Sequence, residues 1–231
     1  MKIIAHRGGP LIQDLPLPEN SLAAIQRSMD AGIKSIEIDV IAAQGKLWIS
    51  HDRRLGRAIS GRGVIANLSL DYLQQQTLEN GEPIPQLQSI LELVEDKAEL
   101  NIEIKGQNTI KPVVECLQAW VREHQLNWDQ FCISSFDHQQ LHQSLTLLPQ
   151  VRRGVLIEGV PLDYAAICKV LEAFSFNMHL GFVTRELLAD SKKRGMQNWV
   201  YTVNHLDDAR WVRNLGVDAI FTDKPDIMLS L

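Results

Sequence analysis

Short apolar runs of four to seven residues alternate along the chain with longer segments whose apolar positions recur every three or four residues, the patterns of buried strands and one-sided helices. The pattern predicts a buried strand over residues 2–7, then a helix from Ser21 through Met29 with Asn20 or Ser21 as its N-cap and Gly32 closing it. A second strand follows from Ser35. Lys46 to Ser50 then pairs back after a Gln44-Gly45 turn or continues the same sheet edge, and delivers His51-Asp52. Between residues 53 and 85 the periodicity loosens around Gly56, Gly61, Gly63, Gly81, Pro83 and Pro85, which marks a small excursion or lid. Regular alternation resumes with helix 86–95, strand 99–105, helix 110–124, strand 130–135 and helix 138–147. Three further strand and helix pairs (154–158 with 164–173, 175–178 with 185–194, 199–203 with 206–215) precede a last strand at 219–222 and a short tail.

Strand–helix alternation implies parallel strands with right-handed crossovers. Eight such units predict an α/β fold of the closed (β/α)8 TIM-barrel type, with the excursion inserted after the second strand region and an open doubly wound sheet as the alternative. One domain over residues 1–231 is expected, since barrels of this kind run to about 200–250 residues.

Composition narrows the function. With 45% hydrophobic residues the chain can bury a full core, and its formal charge of −5 offers no basic footprint for nucleic acid. Cys116, Cys132 and Cys168 are an odd number without ligand spacing and read as reduced core residues. The Ile3-Ile4-Ala5 run is too short for a signal peptide, and no stretch approaches the roughly 18 apolar residues of a membrane span, so a cytoplasmic address and a small-molecule partner are expected.

The second strand carries the first chemical signal. In Ser35-Ile36-Glu37-Ile38-Asp39-Val40, Glu37 and Asp39 are two apart and so share one face. Two like charges side by side repel unless a cation neutralises them. Glu103 and Lys105 share a face in the same way in Asn101-Ile102-Glu103-Ile104-Lys105, and Glu37, Asp39 and Glu103 form a hard-oxygen set suited to Ca²⁺ or Mg²⁺ rather than zinc. Chemistry in a barrel sits at the C-terminal ends of the strands. His6-Arg7, Glu37, Asp39, His51, Glu103, Lys105, Asp137, Asn204 and Asp223 all fall there.

His6-Arg7-Gly8, Pro18-Glu19-Asn20-Ser21, Ile36 to Val40, His51-Asp52 with Leu55 and Arg57, Asn101 to Lys105, Thr202-Val203-Asn204 and Phe221-Thr222-Asp223-Lys224-Pro225 together resemble the ordered motifs of the glycerophosphodiester phosphodiesterases. The resemblance runs from residue 2 to about 226. It implies a metal-dependent hydrolysis of glycerophosphodiesters to sn-glycerol 3-phosphate and an alcohol, through a cyclic phosphate. Carried over residue by residue, Glu37, Asp39 and Glu103 would hold Ca²⁺ or Mg²⁺, His6 and His51 would be the general acid–base pair, and Arg7 and Lys105 would contact the phosphate.

Other positions take secondary roles. Glu19 is expected to brace Arg7 or approach the metal, and Phe136, Tyr201 and Asn204 to line the glycerol or alcohol pocket. Asp52 either orients His51 or plays a structural role, since neighbours on a strand face opposite ways, and Asp223 reads mainly as a turn or cap residue before Pro225. The Pro10–Leu17 loop is longer and more apolar than is usual in the family, and Tyr201 stands where the family often has Trp. The short excursion after His51 points to small, soluble diesters. The alternative activity is a related lyase of the sphingomyelinase D type, which stops at the cyclic phosphate; a non-catalytic binder is disfavoured because both histidines are present.

Overall fold

A computed structural model describes residues 1–12 and 15–231. Gln13 and Asp14, inside the Pro10–Leu17 loop, lie outside the described residues. Eight parallel strands close into a barrel: β1 (Lys2–Ala5), β2 (Ser35–Ala43), β6 (Glu99–Lys105), β7 (Phe131–Ser135), β8 (Arg152–Ile157), β9 (Ser175–His179), β10 (Gln197–Tyr201) and β11 (Ala219–Thr222). Closure is made on both sides of β1, which pairs with β11 through Ala5↔Thr222 and with β2 through Ala5↔Ile36.

Helices α1 (Leu22–Asp30), α3 (Leu87–Val94), α4 (Ile110–His124), α5 (His138–Leu147), α6 (Ile167–Val170), α7 (Arg185–Lys193), α8 (Leu206–Asn214) and α9 (Pro225–Met228) follow the strands. Their apolar stripes meet the outward residues of the strands in one large cluster that includes Ile36, Ile38, Ile102 and Ile104. Inside the barrel a smaller apolar cluster of Ile4, Cys132, Trp199, Ala219 and Phe221 fills one side. The inner faces of β2 and β6 are polar, because alternation sends Glu37, Asp39, Asn101 and Glu103 inward as it sends their isoleucine neighbours outward.

β2 outruns β1 by five residues, nine against four. Its upper half pairs instead with an antiparallel strand, β3 (Lys46–Ile49), in the register Val40↔Ile49 to Ala43↔Lys46. Gln44 and Gly45 form the two-residue connection with φ of 53° and 71°, the left-handed pair that suits a tight hairpin. The excursion that follows contains the short strands β4 (Arg54–Leu55) and β5 (Gly63–Val64) and helix α2 (Leu70–Gln74). Leu55, Ile59, Ile65, Leu73, Leu78 and Ile84 pack with Trp48 of β3 in a cluster of their own.

The structure corrects or narrows the sequence reading in three places. The first strand ends at Ala5, and His6–Gly8 form a 3-10 turn rather than the strand's last residues. Of the two expected N-caps, Ser21 takes the role on α1, its Oγ accepting from the Ala24 amide at 3.0 Å. The helix expected over 164–173 shrinks to Ile167–Val170. No helix among the described residues is long and apolar enough to cross a membrane.

Candidate active site

The turn after β1 sets the first side of the site. Arg7 takes the left-handed conformation, φ 50°, which aims its amide at Glu37 Oε2 at 2.8 Å while its carbonyl accepts from the Asn20 amide at 2.8 Å. Helix α1 presses against this turn from outside. A Cβ on Gly8 would stand 2.8 Å from Ile25 Cγ1, and one on Gly9 2.5 Å from Ser28 Oγ; both glycines also have positive φ. Only glycine meets both demands.

Glu37, Asp39 and Glu103, all buried, each offer an oxygen, and these oxygens lie within 4.8 Å of one another. Asn20 Nδ2 donates to Asp39 Oδ2 at 2.9 Å, and Lys105 Nζ donates to Glu103 Oε1 at 2.7 Å while standing 3.6 Å from Asp39 Oδ1. Burial pushes the Glu37 carboxyl up to about 8 and that of Glu103 up to about 7, and the neighbouring Asp39 charge adds to both. Glu37 Oε1 and Asp39 Oδ1 are buried without a hydrogen-bond partner. A set made only of carboxylate oxygens, crowded and partly unpartnered, fits a hard divalent cation such as Ca²⁺ or Mg²⁺.

Two histidines flank this set, each with a carboxylate on Nδ1. His6 Nδ1 lies 2.7 Å from Asp223 Oδ1. Burial alone would depress this imidazole, but the Asp223 hydrogen bond and the Glu37 and Asp223 charges outweigh it and raise its pKa. Asp223 is itself held by Asn204, whose Nδ2 donates to Asp223 Oδ2 at 2.7 Å and whose Oδ1 accepts from the Asp223 amide at 2.8 Å. His51 Nδ1 is 2.9 Å from Asp52 Oδ1, and burial, opposed by Asp39 and assisted by Arg7, lowers the His51 pKa.

The residues expected at the site divide accordingly. Arg7, Glu19, Glu37, Asp39, Glu103 and Lys105 are joined by direct polar contacts, with Arg7 Nη1 donating to Glu19 Oε2 at 3.1 Å and Arg7 Nε 3.6 Å from Asp39 Oδ2, while His6 is held beside them by Asp223 and feels the Glu37 charge. His51 joins through Asp52 and Arg57, since Arg57 donates to Asp52 Oδ2 at 2.5 Å and to Glu19 Oε1 at 2.5 Å. Phe136 and Tyr201 meet edge to face, ring centroids 5.9 Å apart, and Lys105 Nζ stands 5.8 Å from the Phe136 ring centroid. The Tyr201 hydroxyl is committed to the Ile157 carbonyl at 2.8 Å, and Asn204 braces Asp223 through both ends of its amide.

Sequence reasoning underrated Asp52, Asn20 and Asp223. Asp52 reaches the ring of His51 because β3 ends at Ile49, so the pair sits in a bend and strand alternation no longer separates them. Asp223 reaches His6 because β1 and β11 run side by side in register where the barrel closes. The signal was available in the barrel prediction itself, which makes the first and last strands neighbours.

The sequence matches the Glycerophosphoryl diester phosphodiesterase family over residues 6–227. A glycerophosphodiester phosphodiesterase of Caldanaerobacter subterraneus subsp. tengcongensis is 30% identical, the alignment covering 99% of this chain and 96% of that protein. One from Bacillus altitudinis is 29% identical over 97% of this chain and 95% of its own length. Among solved structures, an Oleispira antarctica phosphodiesterase in complex with the product sn-glycerol-3-phosphate superposes with a TM-score of 0.89 at 27% identity, covering 100% of this chain and 96% of that one. Family match, barrel and polar rim agree, and the chain belongs to the glycerophosphoryl diester phosphodiesterase family.

Proposed function

We propose that the protein hydrolyses glycerophosphodiesters to sn-glycerol 3-phosphate and an alcohol, with a divalent cation held by Glu37, Asp39 and Glu103 and with His6 and His51 as the proton-transfer pair. The observation that carries this reading is the crowding of three buried carboxylates between two histidines, each polarised through Nδ1 by its own aspartate. The cation, Ca²⁺ or Mg²⁺, supplies positive charge to the phosphate as charge develops on it. Arg7 and Lys105 add fixed positive charge to the same rim, the first as a planar fork and the second as a point charge.

His6, whose pKa is raised, takes the proton from the glycerol 2-hydroxyl as that oxygen attacks phosphorus. His51, whose pKa is lowered, gives a proton to the departing alkoxide. The P–O bond to the alcohol breaks, leaving a glycerol cyclic phosphate. In the second half His51 takes a proton from water, the water oxygen bonds to phosphorus, and His6 protonates the 2-oxygen as the ring opens. The raised His6 and lowered His51 pKa values match the second half, where His6 is the acid and His51 the base; the first half draws on the less populated state, with His6 neutral and His51 protonated. Phe136 and Tyr201 wall the glycerol or alcohol side, Glu19 and Asn204 brace Arg7 and Asp223, and the three free cysteines suit a cytoplasmic setting.

Release of glycerol 3-phosphate from glycerophosphocholine, measured with chelator and after adding back Ca²⁺ or Mg²⁺, tests the whole reading. Metal-restored release is expected. A cyclic phosphate that persists in the phosphorus NMR spectrum would indicate a lyase instead, and no release under any condition would overturn the assignment.

A further inference from the structure

The proposed site has an inner side as well as a mouth. A cavity of about 20 Å³ enters the barrel below the carboxylates, lined by His6, Glu37, Asn101, Glu103, Ser134 and Tyr201, among others. One water needs roughly 10–15 Å³ measured this way, with about two to four polar partners. The partners are present. Asn101 is 4% exposed, its Nδ2 donates to Ser134 Oγ at 2.9 Å, and its Oδ1 is buried with no partner. Glu37 stands beside it in register on the neighbouring strand, with Oε2 taken by the Arg7 amide and Oε1 without a partner. Ser134 Oγ already accepts from Asn101, so its hydroxyl hydrogen is available to the cavity.

We propose that Asn101 and Ser134 are positioning residues that hold a buried water molecule against the inner face of Glu37, with one oxygen lone pair turned toward the cation site. With Glu37 ionised and the Asn101 amide donating to Ser134, the donor count gives this orientation. The water gives its two hydrogens to Asn101 Oδ1 and Glu37 Oε1, accepts from the Ser134 hydroxyl, and keeps one lone pair for a cation. Asn101 acts through this water and not on substrate. The inference rests on the cation reading above.

Two measurements without substrate test it. A crystal structure of the wild-type protein should show an ordered water within hydrogen-bond distance of Asn101 Oδ1 and Glu37 Oε1; an empty cavity overturns the proposal whatever the enzyme's activity. Calorimetric titration with CaCl₂ and with MgCl₂ should show affinity reduced about tenfold or more in Asn101→Leu, in keeping with the usual 10–100-fold cost of losing a group that orients a ligand. Ser134→Ala should show a smaller loss. Wild-type affinity in a folded Asn101→Leu protein overturns the proposal, and if that variant does not fold, Ser134→Ala and the wild-type cavity decide. Failure of glycerophosphocholine turnover with the water and the affinity change both present would fault the substrate reading and leave this one standing.

Discussion

His6 Nδ1 and Asp223 Oδ1 stand 2.7 Å apart although 217 residues separate them in the chain. The pair sits at the barrel seam, immediately beyond the Ala5↔Thr222 register of β1 and β11. It gives the imidazole a fixed tautomer and ring plane, and so aims Nε2.

Asp223→Asn removes the charge that raises the His6 pKa. In the proposed roles His6 must be neutral to act first, so activity falls on the acid side as pH drops through its pKa. The acid limb of kcat/KM should therefore move to lower pH in the variant, and kcat should fall roughly tenfold, a fraction of the about 10²–10⁴ typical of general acid–base catalysis. Stability follows the same sign. A raised folded-state pKa gives stabilisation that is fully present below about 6.5 and lost as pH rises through the folded value, so urea melts should show wild type and variant differing more at pH 5.5 than at pH 8.5.

His51→Ala should lower kcat by about a hundredfold or more with little change in KM, because a proton transfer is lost and no binding contact with it. Steady-state kinetics on glycerophosphocholine decide. Unchanged turnover would remove His51 from the reaction.

Glu37 and Glu103 have folded-state pKa values near 8 and 7, above the ordinary glutamate value of 4.5. Between about pH 4.5 and 8 the cation-free folded protein thus binds more protons than the unfolded chain, and its stability should fall as pH rises through that window. Added Ca²⁺ or Mg²⁺ should flatten the slope and release protons near pH 7. Melts at stepped pH with and without cation, and calorimetry in buffers of different ionisation enthalpy, read both effects. Glu37→Gln should raise the metal concentration needed for activity, which a metal titration measures.

Gly9→Ala should destabilise the protein by about 1–3 kcal/mol, since a side chain there meets Ser28 and Pro225 and the backbone is left-handed. The midpoint of thermal unfolding should drop by several degrees. Gly45→Ala, with φ 71° but nothing within 4 Å of the added carbon, should cost less and separates backbone strain from crowding.

The barrel was legible in the sequence because alternation is local: Ile102 and Ile104 against Glu103 and Lys105 declare both faces of β6 within four residues. The carboxylates of one site were legible for the same reason. Helix 164–173 misled because Ala165, Cys168 and Leu171 recur every three residues, and the chain there makes i→i−3 bonds, as from Cys168 to Ala165 and Lys169 to Ala166, with left-handed residues at Tyr164 and Glu172. Partners that meet only after closure carry no local signature. Asn20 reaches Asp39 across 19 residues and Arg57 reaches Glu19 across 38, and neither spacing is a period of helix or strand.

Glu19 Oε2 accepts from Arg7 at 3.1 Å and from Arg57 at 3.0 Å. One carboxylate is thus shared between the turn after β1 and the excursion beside the mouth, and a single oxygen serves both guanidiniums. Loss of this one side chain would release Arg7 and Arg57 together, so the turn and the excursion are fastened to each other at one point.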